Sequence, residues 1–122
     1  MTLDEFFEGY AESRRIFNAL QAAIDSIGRA EIRVTKSQVA FWRRKAFAWA
    51  WVPDRYLRGT HAPLVLSLSL PERDGSPRWK QVVEPSPGRF MHHLELRSEA
   101  GIDTEVRDWL RVAWRAAGGD SA

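Results

Sequence analysis

The chain has 122 residues, with 18 Lys and Arg against 16 Asp and Glu for a formal charge of +2, 44% hydrophobic and 28% charged residues, and no cysteine. That balance belongs to a folded globular domain rather than a disordered segment. The length fits one domain, residues 1–122, burying roughly two thirds of its unfolded surface. Without cysteine there is no disulfide framework, thiolate zinc site or cysteine nucleophile.

The opening MTLDEFFEGY is acidic where a signal peptide is basic, and the longest apolar run, Ala46 to Val52, is too short to cross a bilayer. A cytoplasmic protein with no membrane partner is expected. The charge is uneven: Arg29 to Arg58 holds eight bases and two acids, a local +6. A positive block of this kind favours anionic partners.

In chain order, Thr2 and Glu5 have capping-box spacing and predict a short helix to about Glu8. From Ser13, a plausible N-cap, Ile16, Phe17, Leu20, Ala23, Ile24 and Ile27 recur at helical spacing until Gly28. The stretch EIRVT then alternates as a half-buried strand. KSQVAFWRRKAFAWAWVP continues the period of two, and predicts a hairpin turning at Arg43-Arg44-Lys45.

The loop length sets which faces match, because a one-residue slip reverses every side chain of one strand. A three-residue loop, the preferred reading, puts Val39, Phe41, Phe47 and Trp49 on one face and Ala40, Trp42, Ala46 and Ala48 on the other. A two-residue loop at Arg44-Lys45 groups Trp42 with Phe47, Trp49 and Trp51. No Gly or Asn selects between them.

PDRYLRGTHAP reads as a loop. LVLSLSLP is a strand with Leu64, Leu66, Leu68 and Leu70 inward, KQVVE a short edge strand, and PSPG a turn centred on Pro87 and Gly88. RFMHHLELR alternates again, with His92 inward and His93, Glu95 and Arg97 outward. A final helix from about Thr104, capped by Asp103, carries Val106, Trp109, Leu110 and Ala113, and ends at Gly118-Gly119 before a frayed tail.

Strands without crossover helices pair antiparallel, so an α+β fold is expected: four to five antiparallel strands with the N- and C-terminal helices on the leucine-rich face. The opposite face would display Arg33, Trp42, Ala46, Ala48, Ser67, Ser69, His93, Glu95 and Arg97. The motifs VTKSQVAFWRRKAFAWAWVP and PSPGRFMHHLELRS, followed by an acid-capped helix, resemble the bacterial family known as domain of unknown function 5655. The resemblance runs over nearly the whole chain. It implies a compact α+β module and carries over no catalytic residues.

The histidines at 92 and 93 point to opposite faces of a strand, so they cannot share one ion. His93 and Glu95 share the outer face, where an acid–base pair can be built. The His-x-Glu spacing of zinc deaminases requires cysteine ligands that are absent here, so neither metal nor cofactor is expected. No Gly-x-Ser-x-Gly elbow, phosphate loop or dinucleotide turn is present.

The RRK tip is in its ordinary role a solubilising hairpin end, and most of the six tryptophans are core. The functional expectation is a non-catalytic module binding an anionic partner, nucleic acid or a phosphorylated ligand, through Arg33, Lys36, Trp42, Arg43, Arg44, Lys45 and His93. The alternatives are a small enzyme using His93 and Glu95, and a protein-interaction or dimerisation domain with an exposed aromatic patch.

Overall fold

The computed structural model describes residues 1–119; the tail expected beyond Gly119 lies outside the described residues. The Thr2 hydroxyl accepts from the Glu5 amide and the Glu5 carboxylate from the Thr2 amide, closing the capping box of α1 (Leu3–Phe6). This helix ends before Glu8, in a turn that takes Gly9 to φ 83°, a conformation that costs glycine no Cβ clash.

The long helix α2 (Ala11–Ile27) starts ahead of Ser13. Ser13 is not its cap, because its hydroxyl instead donates to the Pro63 carbonyl at 2.7 Å and ties the first turn to the loop before the leucine strand. The stripe of Ile16, Phe17, Leu20, Ala23 and Ile24 is buried as expected, and Gly28 closes the helix.

Six strands follow: β1 (Glu31–Val34), β2 (Val39–Trp42), β3 (Ala46–Trp51), β4 (Leu64–Leu70), β5 (Gln81–Ser86) and β6 (Arg89–Leu96). They form one antiparallel sheet in the order β1-β2-β3-β4-β6-β5. The class is α+β as expected, with six strands rather than four to five because both short edge strands pair. Pro85 fits in β5 because an edge strand and its irregular register tolerate a missing donor.

The last helix, α3 (Thr104–Ala117), is capped by Asp103, whose carboxylate accepts from the Val106 amide at 3.1 Å. Val106, Trp109, Leu110 and Ala113 face inward. Together α2 and α3 cover one face of the sheet, where Leu64, Leu66, Leu68, Leu94 and Leu96 are buried. Val39, Phe41, Ala48 and Ala50 extend this core along β2 and β3.

The β2–β3 hairpin combines the two expected registers, with the three-residue loop at its turn and the pairing of the two-residue loop beyond a bulge. Trp42 pairs with Ala46 across the three-residue loop, but a bulge then shifts the pairing, so Phe41 faces Ala48, Ala40 faces Trp49 and Val39 faces Ala50. A bulge inserts one residue, here Phe47, and reverses the side-chain alternation beyond it. Phe47 enters the core beside Phe41, at 6.5 Å between ring centroids. Ala48 is therefore buried inside rather than displayed, and Trp49 moves to the outer face with Trp42.

Candidate functional site

The cationic tip lies against the C-terminal end of α3. The Arg43 guanidinium sits 3.5 Å from the centroid of the Trp114 ring and donates to the Trp114 carbonyl at 3.0 Å, while the Arg44 amide donates to the Ala117 carbonyl at 3.2 Å. Both acceptors belong to the last turn of the helix, whose carbonyls carry partial negative charge, and the Trp114 carbonyl also accepts from the Gly118 amide at 3.2 Å. The Trp114 indole in turn donates to the Arg29 carbonyl at 2.8 Å and lies flat on Gly28, where an added Cβ would collide with its ring.

On the outer face, register places Arg33, Ala40 and Trp42 beside Trp49 and Trp51 of β3. The Arg33 guanidinium stacks 3.9 Å from the Trp42 ring centroid and pairs with Glu31. At the tip end of the sheet a cavity of about 620 Å³ opens between the hairpin, the ends of β4 and β6, and α3. Trp42 and Trp49 supply its aromatic wall, Lys45 and Arg89 its charge and Ser69 a hydroxyl, while Ala113, Ala116 and Ala117 leave its α3 side open. Among the described residues no acidic side chain lines it.

At the other end of the same face, the segment after β3 folds back over the sheet and closes a smaller cavity of about 240 Å³. His93, Glu95 and Val65 form its floor, Trp51 and Lys80 its sides, and Leu57 its cover. His93 Nδ1 is 2.7 Å from the hydroxyl of its cross-strand partner Ser67. Burial holds the His93 pKa below the ordinary imidazole range, with a smaller push from His92, so the ring is neutral near pH 7. The Glu95 carboxylate is bound by Lys80 at 3.4 Å and Arg97 at 3.6 Å.

His92, on the inner face, is fully buried and satisfied at both nitrogens. Nδ1–H donates to the Phe90 carbonyl at 3.1 Å and Nε2 accepts from the Asp74 amide at 2.9 Å. The Trp79 ring meets it edge-on, stacks against Trp109, and donates from its indole nitrogen to Asp74. The adjacent histidines thus divide as expected, one into the core and one outward.

The residues expected to bind do not share one place. Arg33 and Trp42 are stacked together, Lys45 joins Trp42 in the cavity beside the tip, Arg43 and Arg44 engage α3 and with Trp42 line an open groove of about 860 Å³ beside Gly28 and Glu31, and His93 lines the smaller cavity. Lys36 sits in the β1–β2 turn, at the opposite end from the tip, where its carbonyl accepts from Tyr56. The preferred three-residue reading misplaced Trp49, which the two-residue alternative grouped with Trp42, and sequence reasoning missed Arg89, whose signal was its place directly after the PSPG turn. His93 and Glu95 share a cavity but are each hydrogen-bonded to other groups.

Among the described residues no group of three or more His, Asp or Glu is arranged to hold a metal, and no helix is long and apolar enough to cross a membrane. The fold and its cavities define an α+β module with helices on one sheet face and an aromatic, partly cationic surface on the other. Residues 3–117 match the family described as Domain of unknown function (DUF5655), and the chain belongs to that family. No curated protein and no solved structure matches it.

Proposed function

We propose that the protein is a non-catalytic binding module that holds an anionic, ring-bearing ligand, a nucleotide or a short single strand of nucleic acid, in the cavity beside the hairpin tip. The observation that carries this reading is the lining itself: two tryptophans, Lys45 and Arg89, with no acidic side chain among the described residues. Cations in a concave site concentrate phosphate, and indoles at sheet positions stack on any base. Arg33, already stacked on Trp42, extends the surface toward the edge of the sheet. The Arg43 side chain and the Arg44 backbone amide hold the tip to α3, and neither residue lines this cavity, nor does the distant Lys36.

Tryptophan fluorescence titrated with a short single-stranded oligonucleotide across a salt series tests this. Each phosphate neutralised contributes about −0.7 to the slope of log K against log salt, so the double variant Lys45→Glu, Arg89→Glu is expected to flatten the slope. Trp49→Ala is expected to weaken binding by about 1–3 kcal/mol and leave the slope unchanged, because stacking releases no counterions. Absence of saturable binding at low salt refutes the proposal.

A further inference from the structure

The smaller cavity is more nearly balanced in charge than the larger one. Among its described lining residues Lys80 and Glu95 lie 3.4 Å apart and neutralise each other, and His61 and His93 supply two imidazoles, so it lacks the two carboxylate-free cations of the larger cavity. Its walls are apolar and flat, formed by the Trp51 indole with Leu57 and Val65. A volume of about 240 Å³ lies below the range of drug-sized sites, so its occupant is a fragment of one or two rings.

Polar groups of both kinds converge inside. Ser67 occupies His93 Nδ1, and the other ring nitrogen, Nε2, has no partner among the described residues. Glu95 accepts, Lys80 donates, and the Gln81 amide, directly across the strand pair from His93, does both. A site that pairs a ring-sized apolar slot with adjacent donors and acceptors matches the hydrogen-bonding edge of a planar nitrogen heterocycle, and rejects hydrocarbons of the same shape because its polar groups would be left unpaired.

We infer that the cavity of Trp51, Lys80, His93 and Glu95 is a second binding site, for an uncharged nitrogen heterocycle of the nucleobase class, with the ring against Trp51 and its polar edge on His93 and Glu95. This inference stands apart from the anion site, because it rests on different residues and on a pocket whose lysine is paired with a carboxylate. Its position on the same sheet face lets both sites be filled at once.

The experiment is a titration of the full chain with the four neutral ribonucleosides, read by the His93 ring C–H signals in NMR and by tryptophan fluorescence, with naphthalene as the hydrocarbon control. At least one nucleoside is expected to shift the His93 signals saturably, with an affinity that does not change with salt. His93→Phe and Glu95→Gln are each expected to raise Kd at least tenfold while circular dichroism stays native, and Lys45→Glu with Arg89→Glu is expected to leave Kd unchanged. No shift of the His93 signals with any nucleoside up to its solubility limit overturns the inference. So does equal binding of naphthalene, or full affinity in a folded Glu95→Gln protein. Salt-dependent oligonucleotide binding lost only in the Lys45 and Arg89 variant is the separate signature of the anion site.

Discussion

Replacing Arg43 by alanine separates a structural cation from a merely exposed one. Among the described residues its guanidinium donates a charge-assisted hydrogen bond to the Trp114 carbonyl at 3.0 Å, worth about 1 kcal/mol at a part-exposed site. It also stacks on the Trp114 ring at 3.5 Å, worth about 0.5–1 kcal/mol. The helix-dipole attraction acts through the same carbonyls and is not added again. The expected cost is therefore about 1.5–2 kcal/mol, which at this chain length lowers Tm by about 5–10 °C.

Arg44→Ala is the internal control. Arg44 reaches α3 through its backbone amide, which alanine retains, so its loss is expected to stay within about 0.5 kcal/mol. Arg43→Lys is expected to fall between the two, since lysine keeps the charge but not the planar stack. Thermal unfolding followed by circular dichroism at fixed salt measures all three. Equal Tm values for Arg43→Ala and Arg44→Ala refute the assignment of Arg43 to the end of α3.

Leu68 is completely buried between the helices and the sheet, so Leu68→Ala is expected to cost about 2–5 kcal/mol in urea unfolding, and wild-type stability refutes the assignment of the buried face. Burial, opposed by the Phe90 carbonyl and by Asp74, keeps the His92 pKa below its ordinary value, and that of His93 moves the same way. The unfolded chain therefore binds more protons than the native one below pH of about 6.5. Stability is expected to be complete above that pH and to decline as pH falls toward the lowered native values, with a shallower decline in His93→Gln; urea midpoints that do not change between pH 8 and 5 contradict this.

The elements that could be read from sequence were those whose pattern is local. Leu64 to Leu70 alternates without interruption, so its buried face needed no knowledge of its neighbours, and the same alternation separated His92 from His93. The stripes of α2 and α3 were equally plain. Phe47 defeated the reading of β3, because a bulge is a two-strand property: the alternation of AFAWAW is unbroken in sequence and breaks only where β2 pairs with it. Ser13 looked like a cap by spacing, but its partner is the carbonyl of Pro63. Neither cavity was legible as a cavity, since one needs the hairpin tip brought to α3 and the other needs the segment after Trp51 folded back over β4 and β6.

The contact between Arg43 and Trp114 joins positions 71 residues apart in the chain. Closing so long a loop has an entropic cost with little return until the intervening strands have paired and shortened the effective separation. The tip therefore docks after the rate-limiting step of folding, and interactions made that late act on the escape rate from the native state rather than on the rate of reaching it. A chain lacking the Arg43 guanidinium should assemble as fast as the parent and come apart sooner, so this one cation at the turn bears on the lifetime of the folded molecule.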